Sequence, residues 1–201
     1  MIAVIDYGIG NLRSAEKAMQ HVGATASLVA DPSALGDASA VILPGVGSFG
    51  RCAEALEQGG WREAIASVLA REVPFLGICV GFQLLFESSE ESPGAKGLGI
   101  FPGQVRKLPG EVKHPQIQWN RLELRGPSTL FADEPAEQWM YFVHSFAPEI
   151  TDRTIAICDY GGPVAAAVEQ GRVFGTQFHP EKSGRDGLAL LGRFAALVER
   201  S

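Results

Sequence analysis

A cysteine between two glycines is the residue of this chain best suited to covalent chemistry. The segment Gly77-Ile78-Cys79-Val80-Gly81 follows the apolar run Pro74-Phe75-Leu76 and precedes Phe82-Gln83-Leu84-Leu85-Phe86, which predicts a strand, a sharp turn and a helix. Flanking glycines let the backbone lift one side chain out of a sheet, and the N–H groups of a helix start favour an anion there. A thiol at such a place is partly thiolate, the form that attacks carbonyl carbon. A packing role alone is the alternative interpretation of Cys79.

A thiol nucleophile also needs a base and an acid, and His179 is the histidine best placed to act as both. It follows the apolar residues 173–178, at the predicted carboxyl end of a strand, where parallel sheets bind ligands. Glu181 is close enough in sequence to accept a hydrogen bond from the ring and fix its tautomer. A surface turn with a solvated Glu181 is the alternative. Because the carboxylate follows the histidine here, an ordinary α/β-hydrolase is disfavoured.

A glycine-rich turn can supply N–H donors to the oxyanion of a tetrahedral intermediate. Pro44-Gly45-Val46-Gly47 ends a predicted strand, and the amide of Val80 directly follows the cysteine. Amides in such a turn can point at a bound oxygen. The early Gly8-Ile9-Gly10 lacks the third glycine of a dinucleotide fingerprint, since Arg13 stands at that position, so we reject nucleotide binding there.

The predicted elements alternate between strand and helix in the first half of the chain and form one α/β domain over residues 1–201. Strands are expected at residues 2–5, 25–29, 41–43 and around 75, with helices at 15–22, 52–56 and 61–71. This order predicts a mostly parallel sheet flanked by helices. Later extended runs at 105–108, 118–124, 140–143, 154–158, 164–168 and 173–177 favour a mixed sheet, and residues 188–198 have helical apolar spacing.

Charge and cysteine content narrow the classes of function. Seventeen Lys and Arg against 23 Asp and Glu give a net charge of −6, which argues against nucleic acid or an anionic membrane as the main partner. Cys52, Cys79 and Cys158 resemble neither a disulfide framework nor a zinc site, so we expect no metal. The absence of a basic leader before the first apolar residues and of a membrane-spanning apolar stretch predicts a cytoplasmic protein.

The cysteine segment and His179-Pro180-Glu181 together resemble the class I, triad-type glutamine amidotransferases, in which a Cys-His-Glu triad hydrolyses the side-chain amide of glutamine. Further segments resemble the glutaminase subunits of imidazole glycerol phosphate synthase: Asp6-Tyr7-Gly8-Ile9-Gly10-Asn11-Leu12-Arg13-Ser14, Leu43-Pro44-Gly45-Val46-Gly47-Ser48-Phe49, Gln118-Trp119-Asn120, Tyr141-Phe142-Val143-His144-Ser145 and His179-Pro180-Glu181-Lys182-Ser183. The resemblance implies a flavodoxin-like α/β fold with no metal or organic cofactor. It also implies a heterodimer with a separate (β/α)₈-barrel cyclase that uses the ammonia in histidine biosynthesis.

The same resemblance implies roles for individual residues. Cys79 is expected to be the nucleophile, His179 its base and later its acid, and Glu181 the residue that orients His179. The expected oxyanion and glutamine contacts are Gly45, Val46, Gly47, Val80, Gln83, Glu91, His144 and Ser145. The residues expected at the interface with the cyclase are Trp119, Asn120 and Lys182.

The chain departs from the usual family pattern in one loop and beside the cysteine. Pro115-Gln116-Ile117-Gln118 stands where the family has Pro-His-Met-Gly, and Val80 and Phe82 stand where leucine and methionine are usual. Neither departure affects the triad, but the first concerns the loop next to Trp119.

Alternative interpretations remain at this level. A related amidotransferase of pyridoxal phosphate, purine or anthranilate synthesis is disfavoured by Asp6-Tyr7-Gly8 and Trp119-Asn120. A catalytically silent regulator on the same scaffold has no physical reason to keep all three triad residues. His144 can cap a strand instead of contacting substrate, and Trp119 can pack in the core.

Overall fold

The computed structural model describes residues 1–132 and 137–198. Its strands are β1 (Ile2–Ile5), β2 (Ala26–Val29), β3 (Ala40–Gly45), β4 (Phe75–Cys79), β5 (Ser88–Ser89), β6 (Gln104–Lys107), β7 (Gln116–Arg121), β8 (Glu123–Leu124), β9 (Trp139–His144), β10 (Phe146–Pro148), β11 (Thr154–Asp159), β12 (Pro163–Gln170) and β13 (Val173–Thr176). Its α-helices are α1 (Leu12–His21), α2 (Phe49–Gln58), α3 (Trp61–Ala70), α4 (Val80–Gln83) and α5 (Gly184–Ala196), with 3₁₀ helices at Pro32–Asp37 and Pro180–Lys182.

The central sheet has eight strands in the order β2-β1-β3-β4-β13-β12-β11-β8. The five strands from β2 to β13 pair in parallel, whereas β12, β11 and β8 continue the sheet with antiparallel pairs. The expected mixed, mostly parallel sheet flanked by helices is confirmed. Because β3, β4 and β13 are neighbours, their carboxyl ends lie side by side, where a doubly wound sheet binds its ligand.

Helix α2 forms because its apolar residues recur at helical spacing. Phe49, Cys52, Ala53 and Leu56 are buried, and positions i, i+3, i+4 and i+7 form one stripe along a helix. The helix begins at Phe49, three residues before the predicted start at Cys52. Cys52 therefore lies in the first turn, close to the end of β3.

The helix after Cys79 is shorter than predicted. The apolar segment through Phe86 indicated a helix of ordinary length, but α4 ends at Gln83 after four residues. The amides of Leu98 and Ile100 donate to the carbonyls of Leu84 and Leu85 instead, so this loop takes the place of further helical turns. The dipole of so short a helix contributes little, so an anion bound at this turn would depend on local N–H groups.

Strands β7 and β9 form a separate two-stranded layer. Trp119 pairs with Tyr141, and Ile117 pairs with Val143, so these side chains share the outer face. Ile117 is 60% exposed and Trp119 and Trp139 are each 48% exposed.

Among the described residues, no helix has the length and apolar character needed to cross a membrane.

Candidate active site

Cys79 occupies a strained position between β4 and α4. Its φ of 56° and ψ of −112° lie in a region that residues with a Cβ rarely adopt. Gly81 makes the turn possible, because a Cβ on this residue would overlap the carbonyl oxygen of Leu43 in the neighbouring strand. The strand and sharp turn predicted from the two glycines are therefore present, with the buried Cys79 thiol at the apex of the turn.

His179 and Glu181 lie beside this turn as a buried pair. His179 follows β13, the neighbour of β4, and Glu181 lies in the 3₁₀ helix Pro180–Lys182. His179 Nδ1 and Glu181 Oε1 are 2.8 Å apart, and both side chains are only 3% exposed. Since the Nδ1 side of the ring is used by Glu181, the Nε2 side is left to exchange protons with Cys79.

The environment of His179 favours its protonated form. Burial lowers its pKa, but hydrogen bonds and charge interactions with Cys79 and Glu181 outweigh this effect and raise the pKa to about 9. An imidazolium at neutral pH can stabilise a thiolate and later protonate a leaving amine. The second oxygen of Glu181, Oε2, is buried without a hydrogen-bond partner among the described residues.

The turn of residues 44–47 runs next to the cysteine. Gly45 is the register partner of Cys79 across β3 and β4, and Val46 and Gly47 line the cavity above the thiol. Within residues 1–132 and 137–198, the N–H groups of Val46 and Gly47 have no hydrogen-bond partner. They are available donors close to the place where an oxyanion would form.

A cavity of about 390 Å³ opens above Cys79, a size typical of small-molecule sites. Most of the predicted site residues line it: Val46, Gly47, Cys79, Val80, Gln83, Glu91, His144, Ser145, His179 and Lys182. Gly45 and Glu181 line a smaller cleft behind His179. A larger depression of about 550 Å³ near Ser128 and Arg193 contains none of the predicted residues.

Hydrogen bonds to other protein groups fix the side chains of Gln83 and Glu91. The Gln83 amide nitrogen donates to the carbonyl of Phe146 at 2.8 Å and to Gln177 Oε1 at 3.1 Å. Glu91 Oε2 accepts a hydrogen bond of 2.8 Å from the N–H of Phe49, at the start of α2. Both side chains are therefore held in place before any ligand binds.

His144 presents a neutral ring to the cavity. Its Nδ1 lies 2.9 Å from the carbonyl of Phe146, so Nδ1 is the donor and Nε2 carries the lone pair. Burial, together with the charge of His179, lowers the pKa of His144 to about 4, although the hydrogen bond to Phe146 opposes this. Nε2 is buried and has no partner among the described residues.

Of the three residues predicted at the cyclase interface, Lys182 lines the cavity above Cys79, whereas Trp119 and Asn120 do not. Trp119 is half exposed on the outer face of β7, and its ring centroid is 6.1 Å from that of Tyr141. Lys182 is exposed at the rim of the cavity. The Asn120 amide nitrogen donates to the carbonyl of Asp159 at 2.8 Å.

The sequence reasoning missed three residues close to the thiol. The Gln177 amide nitrogen lies 3.9 Å from the Cys79 sulfur, and its position two residues before His179 would have placed both side chains on one face of an extended chain. Tyr7 and Cys52 both bond the turn of residues 44–47. No sequence spacing signals those two contacts.

In the part of the chain that the structure describes, no three His, Cys, Asp or Glu side chains converge as metal ligands would.

Comparisons with known proteins identify the family of this chain. The family model for "Glutamine amidotransferase class-I" matches residues 3–196. The chain belongs to this family. The amidotransferase has a similar fold to a solved "glutamine amidotransferase" (TM-score 0.78, 19% identity, 98% of each chain covered). It is also similar to "PurLQS from Thermotoga maritima" (TM-score 0.77, 24% identity, 98% of this chain and 97% of that chain).

Curated relatives identify a group within this family. "Imidazole glycerol phosphate synthase subunit HisH" of Moorella thermoacetica is 43% identical over all of this chain and 96% of its own length. The protein of the same name from Methanothermobacter thermautotrophicus is 44% identical, with 98% of this chain and 99% of the relative covered. The amidotransferase is therefore a member of the HisH group within the class-I family.

Proposed function

We propose that Cys79, His179 and Glu181 hydrolyse L-glutamine to glutamate and ammonia. The observation that carries this proposal is their arrangement at one cavity. A thiol held by a backbone φ of 56° lies beside a buried His179–Glu181 pair whose ring-to-carboxylate distance is 2.8 Å. A nucleophile, a proton carrier and an orienting carboxylate are the groups that thiol-dependent amide hydrolysis requires.

The reaction follows from these positions. The thiolate of Cys79 attacks the amide carbon of glutamine, and the carbonyl electron pair moves to the oxygen, which the N–H groups of Val46, Gly47 and Val80 stabilise. The carbon–nitrogen bond then breaks, and His179 gives its proton to the departing ammonia. Water attacks the resulting thioester while His179 accepts one of its protons. The carbon–sulfur bond breaks, glutamate leaves and the thiolate is restored.

The cavity offers complementary groups for the rest of glutamine. Glu91 supplies a negative charge for the α-ammonium group. Both amide hydrogens of Gln83 are already donated to protein acceptors, so only its carbonyl oxygen remains for substrate. His144 Nε2 is an acceptor for a substrate N–H, and Ser145 adds a polar wall beside it.

We infer that the ammonia serves a separate (β/α)₈-barrel cyclase in a heterodimer that makes imidazole glycerol phosphate for histidine biosynthesis. The relatives' name describes them as subunits of that synthase. In the described part of the chain, Ile117, Trp119 and Trp139 form an exposed apolar face on β7 and β9. Exposed aromatic side chains of this kind anchor protein partners. Trp119, Asn120 and Lys182 are proposed to contact the cyclase.

Assays of glutamate formation and of cyclase product, with and without the cyclase, test this function. The proposal expects glutamine-dependent product formation by the mixture, and product formation from added ammonium by the cyclase alone. A chain that forms no glutamate under any condition would be a silent regulator. A glutaminase whose ammonia never reaches the cyclase would belong to another pathway of the same class.

A further inference from the structure

The turn of residues 44–47 rests on two buried side chains that take no part in the triad. The Tyr7 hydroxyl donates to the carbonyl of Pro44 at 2.9 Å. The Cys52 thiol donates to the carbonyl of Val46 at 3.3 Å. Tyr7 and Cys52 are both buried, and neither lines the cavity above Cys79. These two contacts therefore hold the turn from the side opposite to the substrate.

The geometry of the peptide group relates these contacts to the amide donors. In a planar trans peptide, the C=O and N–H bonds point in opposite directions. The carbonyl of Val46 points toward buried Cys52, so the N–H of Gly47 in the same peptide points the other way, where Gly47 lines the cavity. This N–H has no protein partner within the described residues. The thiol of Cys52 thus fixes the direction of a donor that faces the substrate.

Both side chains remain protonated and so keep their donor hydrogen. Burial, and the nearby Cys52, raise the pKa of Tyr7 far above its ordinary value. Burial likewise raises the pKa of Cys52, although the hydrogen bond with Tyr7 partly opposes this. Cys52 is consequently a hydrogen-bond donor at neutral pH and does not compete with Cys79 as a nucleophile.

The backbone of Gly45 lies between Tyr7 and the cysteine turn, with no room for a side chain. A Cβ on Gly45 would lie 2.6 Å from the amide nitrogen of Gly81 and 3.0 Å from the Tyr7 hydroxyl oxygen. Both distances are shorter than ordinary carbon contacts. Tyr7 therefore packs directly against the strand end that pairs with Cys79.

We propose that Tyr7 and Cys52 are positioning residues that clamp the turn of residues 44–47 and hold its amide donors ready for the oxyanion of the reacting glutamine. The proposal rests on the proposed glutaminase function, because it assumes a tetrahedral intermediate at Cys79. The clamp touches no part of the substrate. Its effect belongs to the transition state, so it acts on kcat more than on KM.

Substitutions at Cys52 separate this role from simple packing. Cys52→Ala removes one heavy atom and the hydrogen bond to Val46, whereas Cys52→Ser retains a donor of similar size. Because the clamp supports the donors through a single hydrogen bond, we expect Cys52→Ala to lower kcat about 5- to 10-fold with KM nearly unchanged. Cys52→Ser should recover most of the loss. Tyr7→Phe should act in the same direction as Cys52→Ala.

Cys158→Ala is the matched control, since Cys158 is an equally buried free thiol that lies beside Gln116, away from the turn. It should lower the Tm without changing kcat. The assay follows glutamate formation by the complex with the partner subunit. A second readout is the affinity for 5-oxopentanoate, an aldehyde without an α-amino group, whose hemithioacetal with Cys79 places an oxygen where the oxyanion would form. That affinity should fall by the same factor as kcat.

The outcomes distinguish the clamp from the function on which it rests. Unchanged kcat and aldehyde affinity in Cys52→Ala, with a Tm loss like that of Cys158→Ala, would overturn the clamp. A Cys52→Ser protein as slow as Cys52→Ala would also overturn it, because the donor would then be irrelevant. If the unmodified protein forms no glutamate, the proposed function fails instead.

Discussion

Replacement of Glu181 by glutamine measures how much the carboxylate contributes to the triad. Glu181 Oε1 lies 2.8 Å from His179 Nδ1, and both side chains are 3% exposed, so water screens the interaction weakly. Glutamine keeps an acceptor oxygen in nearly the same place. The substitution therefore removes the charge and leaves the shape of the side chain.

The pKa of His179 gives the size of the expected effect. Despite burial, contacts with Cys79 and Glu181 raise this pKa from 6.5 to about 9. At 1.36 kcal/mol per pKa unit, a difference of 2.5 units is roughly 3 kcal/mol. A hydrogen bond to a charged group contributes about 1.5–3 kcal/mol, so loss of the Glu181 charge should lower kcat about tenfold or more.

The assay is glutamate formation by the assembled synthase as a function of pH. We expect Glu181→Gln to lower kcat by about tenfold or more, with KM changed less than about threefold. The pKa of His179 should fall, so the decline of activity at high pH should begin at a lower pH than the value of about 9 expected for the unmodified protein. Synthesis from added ammonium should be unchanged. A rise in KM with unchanged kcat would show that Glu181 binds substrate and would refute this reasoning.

Three further substitutions test separate parts of the account. Cys79→Ala should lower glutamine-dependent synthesis by on the order of 10⁴-fold or more but leave synthesis from ammonium intact; substantial residual glutaminase activity would contradict the nucleophile. The pKa of His144 is about 4 when folded against 6.5 ordinarily, so protonation favours the unfolded chain and the Tm should fall as the pH drops through this window. His144→Gln should make the Tm fall less steeply as the pH drops. An equal pH dependence of the Tm in the two proteins would refute this role of His144. Trp119→Ala should weaken cyclase binding by roughly 30-fold, whereas Ile150→Ala, exposed outside this face, should not; equal effects would argue against Trp119 as an anchor.

The parts of the site that the sequence predicted depend on short-range chemistry. The glycines beside Cys79 are required by the turn itself, since a Cβ on Gly81 would overlap Leu43. His179 and Glu181 are two residues apart, so their contact is local. The parallel strands that lead to these residues are nearly continuous apolar runs. This pattern is typical of strands buried on both faces, so β1, β3, β4 and β13 could be predicted from the sequence.

The parts that the sequence could not predict depend on tertiary packing. Helix α4 ends after four residues because the amides of Leu98 and Ile100 bind carbonyls that a longer helix would use. Tyr7 and Cys52 meet the turn only in the folded chain, where Tyr7 follows β1, the neighbour of β3, and Cys52 lies in α2. Gln177 approaches Cys79 for the same reason, as β13 is the neighbour of β4. No local pattern carries such information.

Labelling with a chloroketone analogue of L-glutamine tests the central claim most directly. The reagent binds as glutamine does and alkylates the nucleophile that attacks its reactive carbon. Peptide mass spectrometry should find the label on Cys79 in proportion to the loss of glutaminase activity, with Cys52 and Cys158 unmodified as internal controls. Complete inactivation with the label on another residue, and with Cys79 free, would contradict the assignment of Cys79 as the nucleophile.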